Sequence, residues 1–157
     1  MVYAHEPRWG SDLRLLDDLF QHNDRTPGSD LVSVRRSETG ERDLATLTEL
    51  DNLQQALLLR FATRQGELTV LGHADYGSRL HELIGEPNTE STRNRAKMYT
   101  LIALAGEPRV AQVISVDVTT DAADRGRINI AARLKTQHED TPLNLVFPFF
   151  LDGGVTA

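Results

Sequence analysis

The chain has 157 residues, of which 39% are hydrophobic, 25% charged and 6% aromatic. This is enough for one domain with a single modest core and too little for two. The formal net charge is -6, so no basic excess exists to neutralise a nucleic-acid backbone or an anionic membrane surface, and we expect neither as a partner. Cysteine is absent, which excludes disulfides, thiolate metal sites and a cysteine nucleophile.

The sequence carries no recognisable targeting signal. Its opening stretch, MVYAHEPRWG, lacks the apolar segment of a signal peptide. No window approaches the roughly 18 apolar residues that a membrane span needs. We therefore expect a protein that is neither exported nor inserted in a membrane and that assembles in the cytoplasm.

Residues 1–43 are predicted to form an irregular amino-terminal arm. The apolar residues of segment 11–22 fall on one helical stripe, with Ser11 available as the N-cap, and predict a short helix. Residues 31–34 form a short β-type run. Residues 44–157 then form the main domain: a helix, a glycine-rich loop, a second helix and a three-stranded sheet.

The first helix of the main domain is predicted from apolar residues that recur every three or four positions between Leu50 and Phe61. Thr48 or Asp51 can cap its start, and Gly66 lies beyond its end. Single glycines interrupt residues 67–88, so this segment is expected to be an ordered loop of short pieces joined by tight turns.

The second helix is predicted over about residues 90–105. Asn88 or Thr89 can cap its start, and Gly106 followed by Pro108 stops it. Its inward face is predicted to contain Leu101, Leu104 and Ala105.

From Arg109 onward the apolar period changes to that of strands. Three alternating runs are separated by short polar connections at 119–127 and 137–142, which favours an antiparallel β-meander. Pro148 has no N–H to donate to a hydrogen bond between strands, so we expect the last strand to lie at an edge of the sheet or to contain a bulge. The alternating residues are Ile114, Val116 and Val118, then Ile128, Ile130, Ala132 and Leu134, then Leu143, Leu145, Phe147, Phe149 and Leu151. The predicted fold class is α+β, with two to three helices packed against a small antiparallel β-meander.

The last predicted strand is a candidate interaction surface. It reads LNLVFPFFL and has apolar residues on both faces, at Val146 and Phe150. A solvent-facing edge strand should alternate cleanly or carry charge. We therefore expect something to cover this strand, either a helix of the same chain or another chain.

The exit of the second helix is a stiff, charged corner. Glu107 and Arg109 flank Pro108, whose φ is fixed, so the two opposite charges leave the corner in set directions. This arrangement fits a contact with a partner protein and fits equally a helix exit with two solvated charges.

Catalytic or metal chemistry would have to come from the glycine-broken loop. A carboxylate pair roughly 5 to 9 Å apart would serve a glycosidase, and a metal site would need ligands at a recognised spacing. The loop residues match no zinc or iron motif, so we predict solvated or arginine-paired acids, no catalytic or metal site and no cofactor. The acids are Glu67, Asp75, Glu82 and Glu86, and the histidines are His73 and His81.

Several motifs follow one another over about residues 44–151. They are Asp51-Asn52-Leu53-Gln54-Gln55-Ala56-Leu57, Arg60, Thr63-Arg64-Gln65-Gly66-Glu67-Leu68, a motif loop of Gly72, His73, Tyr76, Gly77 and Ser78 after Leu71, and Glu107-Pro108-Arg109, with Trp9-Gly10-Ser11-Asp12 as a weaker opening. Their order resembles the phage W-protein or baseplate-wedge family. This family includes the sheath-initiating baseplate subunit of contractile phage tails, tailocins, extracellular contractile injection systems and the type VI secretion baseplate.

The resemblance implies a non-enzymatic baseplate component that forms a ring of copies within the assembled particle. In the family, the corner that matches Glu107, Pro108 and Arg109 lies against the helical core bundle of larger wedge proteins. The sheet resembles the strand-exchanging part of the sheath protein, so sheath strands would join it and seed the first sheath ring. Tube or hub proteins are further candidate partners. The expected sheath-binding edge contains Leu145, Val146, Phe147, Phe149 and Phe150.

Two other functions stay open. Some descriptions of this family use a lysozyme-like name, and a peptidoglycan glycosidase would use Glu67 or another loop acid. A generic adaptor would have its sheet edges covered by the 31–34 segment of its own arm. The phage tail, the tailocin and the injection particle all stay open as settings.

Overall fold

A computed structural model describes residues 10–16, 31–137 and 141–153. The α-helices in these ranges are α1 (Glu49–Ala62) and α2 (Glu90–Ala105), and 3-10 helices span Thr69–Leu71 and Leu80–Leu83. The strands are β1 (Ser11–Leu13), β2 (Ser33–Arg35), β3 (Arg42–Leu44), β4 (Thr46–Thr48), β5 (Val110–Thr120), β6 (Arg127–Thr136) and β7 (Leu143–Phe150). The fold class is α+β, as predicted.

The strands form antiparallel sheets. β1 pairs with β4 and β2 pairs with β3, whereas β5, β6 and β7 form the predicted three-stranded meander in that order. Pro148 lies in β7, an edge strand of this meander, where a residue without an N–H is tolerated. The 33–35 strand therefore pairs with β3 and does not cover an edge of the meander.

One hydrophobic cluster joins both α-helices to one face of the meander. Alternate residues of β6 and β7 point into this cluster, because successive side chains of a strand face opposite sides of a sheet. The ring of Phe61 in α1 lies 5.5 Å from the ring of Phe147 in β7, between centroids. Leu104 of α2 is fully buried in the same cluster. On the opposite face, Ala131 and Arg133 of β6 are exposed.

The predicted helix at 11–22 is wrong where the structure describes it. Residues 11–13 form β1, and residues 17–22 lie outside the described residues. The cause is a contact distant in sequence. The buried side chain of Gln55 accepts bonds from the backbone N atoms of Leu15 and Leu16, and its Nε2 donates to the carbonyl of Leu13. These bonds hold the arm extended along α1.

The predicted inward face of α2 is only partly right. Leu104 is buried, but Leu101 and Ala105 are exposed. The buried face instead includes the small residues Ala96 and Ala103 beside Leu104. Apolar character alone did not distinguish the two sides of this helix.

The ends of the helices agree with the predicted caps. Thr89 is the N-cap of α2 and accepts a bond from the backbone N of Thr92 at 3.2 Å, and Gly106 is the C-cap. Thr48 is the N-cap of α1, without a side-chain capping bond. Across the described ranges, neither helix combines the length and apolar character that crossing a membrane requires.

Candidate functional site

The corner between α2 and β5 is built around one buried carboxylate. Glu107 is 5% exposed. Its Oε1 atom accepts bonds from Nε of Arg109 at 2.7 Å and from the backbone N of Arg109 at 3.3 Å, and its Oε2 accepts a bond from Nη2 of Arg109 at 3.2 Å. Pro108 is exposed, and its carbonyl accepts a bond from Gln137. Glu107 therefore holds the Arg109 guanidinium in place and is not a solvated charge.

The last turn of α1 brings a second guanidinium to this carboxylate. Arg60 is 8% exposed, and its Nη2 atom lies 3.5 Å from Oε2 of Glu107. Its guanidinium carbon lies 4.5 Å from the centroid of the Tyr76 ring, within the range of a cation–π contact. Gly106 leaves space for it, because a Cβ at this position would lie 3.2 Å from Nη1 of Arg60. Motif residues far apart in the sequence thus meet at the corner.

The charges of this cluster perturb two of its members. Burial raises the pKa of Glu107, but the hydrogen bonds and positive charge of Arg109, together with the charge of Arg60, outweigh burial and leave that pKa below its ordinary value. Burial also raises the pKa of the Tyr76 hydroxyl, which the positive charge of Arg60 opposes. At neutral pH the cluster therefore contains an ionised carboxylate and a neutral phenol.

Gly77 and Ser78 of the motif loop attach that loop to the end of α1. Gly77 has a φ of 106°, and a Cβ there would lie 2.7 Å from the carbonyl oxygen of Thr63, so the position requires glycine. The backbone N of Ser78 donates to the same oxygen at 2.9 Å, and its Oγ donates to the carbonyl of Phe61 at 2.8 Å. These bonds occupy carbonyls at the helix end, which a helix leaves without internal partners. We call Phe61, Thr63, Gly77 and Ser78 the loop joint.

Gly72 and His73 close a separate turn in the motif loop. Gly72 has a φ of 84° and is the C-cap of the 3-10 helix at Thr69–Leu71. The backbone N of His73 donates to the carbonyl of Leu68 at 3.1 Å, and the His73 side chain is exposed. The space around Gly72 is open for 4 Å, so its glycine serves the backbone conformation alone.

The five side chains assigned to the sheath-binding edge lie in different places. Leu145 and Phe147 are in the core, at 1% and 2% exposure, and Phe149 is half-buried. Phe150 is buried at the other face, where the guanidinium of Arg127 lies 5.7 Å from its ring centroid. Val146 is the one of the five that is exposed. This chain itself already buries Phe147 and Phe150, so Val146 is the side chain of this set that a partner could contact most fully.

The backbone of β7 is open on its outer side. Pro148 pairs with Asn129 although proline has no N–H, so this pair must be of the non-hydrogen-bonded type, in which both residues turn their N–H and C=O groups away from each other. Pair types alternate along an antiparallel ladder, so Val146 and Asn144 also direct their backbone groups outward. Among the described residues, no strand pairs with this side of β7.

Comparisons with known proteins relate the fold to solved structures. One of them is the crystal structure of a Geobacter sulfurreducens protein provisionally named a tail lysozyme, and it is 24% identical with a TM-score of 0.56. The match covers 64% of this chain and 88% of that chain. The two proteins share a fold. No protein-family model and no curated protein matches the chain.

The loop acids are the candidate groups for hydrolysis, and most of them are held by neighbouring donors. Glu67 accepts a bond from the backbone N of Arg64 at 3.2 Å. Glu82 accepts bonds from Arg79 at 2.8 and 3.0 Å and from the Tyr99 hydroxyl at 2.9 Å, and these bonds lower the pKa of Glu82 to about 2. A glycosidase acid needs a raised pKa, so Glu82 is in the wrong state for that role. Glu86 pairs with Arg95 at 3.3 Å, and Asp75 is exposed.

Two further features bear on small-molecule chemistry. In the described part of the chain, no cluster of three or more histidine or acidic side chains is arranged to hold a metal ion. A groove of about 510 Å³ runs along α2, and Glu90 is the one carboxylate among its lining residues, which are Glu90, Ser91, Asn94, Arg95 and Met98. Glycoside hydrolysis needs a pair of carboxylates, and the lining residues of this groove include one.

Sequence reasoning missed the roles of Gln55 and Arg60. Gln55 is 1% exposed and holds the arm, and Arg60 joins α1 to the corner. Both are polar residues within an otherwise apolar helical pattern. A buried polar side chain requires a partner, so their position on the inward side of α1 was the signal available.

Proposed function

We propose that this protein is a structural component of the baseplate of a contractile tail or contractile injection system. In this proposal, its corner, Glu107–Arg109, docks on larger wedge proteins, and its β7 edge templates the first ring of sheath by accepting sheath strands. Copies of the chain form a ring only within the particle, where tube or hub proteins are further neighbours. The fold shared with a tail-associated protein and the order of the motifs support this proposal.

The observation that carries the proposal is the open outer side of β7. The backbone groups of Asn144 and Val146 point away from β6, as does the C=O of Pro148, and a strand placed alongside can bond to them. The other edge of the sheet is less suitable. β5 has irregular register at Ala111 and Ile114, and such bulges twist an edge and interrupt pairing.

Backbone bonds must supply most of the free energy of this contact. Each contributes only about 0.5 to 1.5 kcal/mol net, and most of the large apolar side chains of β7 are already buried. A sheath strand would add contacts with the exposed Val146 side chain on the outer face. A strand-to-strand contact of this kind is cooperative, because loss of one backbone hydrogen bond also disturbs the register of the neighbouring bonds.

Replacing Val146 with proline tests this function. The change removes an N–H that points outward, so the ladder between β6 and β7 keeps its bonds while the incoming strand loses one. We expect cells that express only the Val146→Pro chain to produce particles without full-length sheath in electron micrographs. Sheath of normal length and yield would contradict the proposal.

The matched control is Val146→Thr, which keeps the N–H and the β-branched shape and should assemble normally. Asn144→Pro removes the neighbouring outward N–H and should reproduce the defect of Val146→Pro. Thermal unfolding of each purified variant separates an assembly defect from a folding defect. Variants that melt within a few degrees of the wild-type chain and still lack sheath support the edge.

A tail glycosidase is the second candidate, favoured by the name of the Geobacter sulfurreducens protein. The purified chain would then clear a suspension of peptidoglycan, and Glu67→Gln would abolish clearing if Glu67 is the acid. Clearing by the wild-type chain with normal sheath assembly by Val146→Pro would favour this function over the structural one.

A further inference from the structure

The corner holds more positive than negative charge. The ionised groups that act on Tyr76 are Arg60, Glu107 and Arg109, which are two cations and one anion. Arg60 is nine-tenths buried, and Arg109 is partly buried at 27% side-chain exposure. Partly buried charges are screened less by water than exposed ones. The cluster therefore carries an excess positive charge that is only partly solvated.

The two guanidinium groups share the carboxylate unequally. Arg109 occupies both oxygens of Glu107, with distances of 2.7 and 3.2 Å. Arg60 reaches one of them at 3.5 Å, and its buried Nε has no hydrogen-bond partner. A buried donor without a partner is costly, and such groups are uncommon in folded proteins. The internal anion thus leaves the cationic side of the cluster under-satisfied.

A carboxylate is the ligand that fits this arrangement. Guanidinium groups bind carboxylates through paired N–H donors and bind cations not at all. The carboxylate must reach Arg109, which is the more exposed of the two arginines and lies beside the exposed Pro108. A polyanion such as a nucleic acid is disfavoured, because the whole chain has a net charge of -6.

We propose that the corner is a receptor for an aspartate or glutamate side chain of the partner protein, with Arg109 as the residue that contacts it. Glu107 is then an internal counter-ion that orients Arg109, and Arg60 is a positioning residue that keeps Glu107 in place from α1. This inference rests on the proposed docking of the corner on a larger wedge protein and adds the chemistry of the group that is recognised.

Affinity measurements between the purified full chain and its neighbouring wedge proteins test this inference. Arg109→Gln should weaken binding at least tenfold and make the remaining affinity less dependent on salt. Arg125→Gln is the matched control, because Arg125 is an exposed arginine in the connection between β5 and β6 and should bind within twofold of wild type.

Glu107→Gln distinguishes a bound carboxylate from a bound cation. If the partner offers a carboxylate, this variant keeps measurable binding, because Arg109 and the positive charge remain. If the partner offers a lysine or arginine, Glu107→Gln abolishes binding while its unfolding temperature stays near that of wild type, and the inference is overturned. Should Glu107→Gln fail to fold, reversing the charge at Arg109 identifies the charge of the partner group without it.

Charge reversal identifies the partner residue directly. Arg109→Glu should lose binding, and replacing one acidic residue of the partner by arginine should restore it to within tenfold of wild type. Wild-type affinity for Arg109→Gln, or failure of every acidic position to restore Arg109→Glu, overturns the inference and leaves the docking proposal intact. If the wild-type chain binds no wedge protein, both the docking proposal and this inference fail.

Discussion

The loop joint and the outer side of β7 both have backbone groups at the boundary of a helix or a sheet. The two regions differ in whether those groups have hydrogen-bond partners within the chain. At the joint, the carbonyls of Phe61 and Thr63 are occupied by the side chain and backbone of Ser78. At β7, the outward groups of Asn144 and Val146 meet no strand in the described part of the chain. The first region satisfies its backbone groups within the chain, whereas the second has backbone groups that no strand of the described residues pairs with.

This difference predicts how each region responds to mutation. A change at the loop joint removes bonds that exist in the isolated chain, so it should lower the free energy of unfolding. A change of an outward group on β7 removes bonds that, under the proposed function, form only with a sheath strand, so it should reduce assembly and leave the free energy of unfolding almost unchanged. Mutations at the loop joint therefore report on stability, and Val146→Pro reports on assembly.

Gly77→Ala should have the largest effect. The new Cβ would lie 2.7 Å from the Thr63 carbonyl oxygen, and the φ of 106° is unfavourable for alanine. Strain and the forced movement of backbone together should lower the free energy of unfolding by roughly 3 to 5 kcal/mol. Urea unfolding followed by circular dichroism measures this loss.

Gly72→Ala is the control for that change. Its φ of 84° is also positive, but the space around it is open. Only the conformational strain remains, so the expected loss is about 1 to 2 kcal/mol. Equal losses in the two variants would mean that the contact between Gly77 and Thr63 is not what closes the joint.

Ser78→Ala should have an intermediate effect. It leaves the buried carbonyl of Phe61 without the 2.8 Å bond from Oγ, and Leu80 loses the acceptor of its backbone N. An unsatisfied buried group costs about 1 to 3 kcal/mol. Urea unfolding should detect this loss, whereas Thr69→Val, which removes an exposed hydroxyl bond to Gly66, should change stability by less than about 0.5 kcal/mol.

Local sequence signals predicted much of the secondary structure and less of the tertiary structure. The alternation of β5 to β7 and the cap at Thr89 depend on neighbouring residues, and these predictions are confirmed. The β1 strand depends on Gln55, which lies 42 residues from Leu13, and the helical stripe of segment 11–22 contained no trace of that contact. The inward face of α2 was misjudged because it includes the small residues Ala96 and Ala103, whereas the large apolar Leu101 is exposed.

The candidate site divides in the same way. The fixed φ of Pro108 indicated a stiff corner, but Arg60 is 47 residues from Glu107 and nothing local links them. The outward direction of the Val146 backbone, by contrast, follows from Pro148 once the pairing with Asn129 is known. The strand register therefore shows which backbone groups point outward, which the pattern of apolar residues alone does not show.

The smallest effect is expected from Glu82→Gln. This change tests whether the 3-10 helix at Leu80–Leu83, which follows the loop joint, is also stabilised by bonds within the chain. Bonds from Arg79 and Tyr99 lower the pKa of Glu82 from 4.5 to about 2. A carboxylate whose pKa is lower in the folded state than in the unfolded state stabilises the fold when the pH is above the unfolded-state pKa. This contribution is lost as the pH falls through the folded-state pKa. Wild type should therefore exceed Glu82→Gln in its urea midpoint at pH 6, and the difference should shrink between pH 4.5 and 2. Because the pair is exposed, solvent screening keeps the difference small. In a chain that already has Arg79→Gln, the effect of Glu82→Gln should depend less on pH, because only the Tyr99 bond then remains to lower the pKa of Glu82. A difference that stays constant from pH 6 to 2 would mean that these bonds do not form in solution.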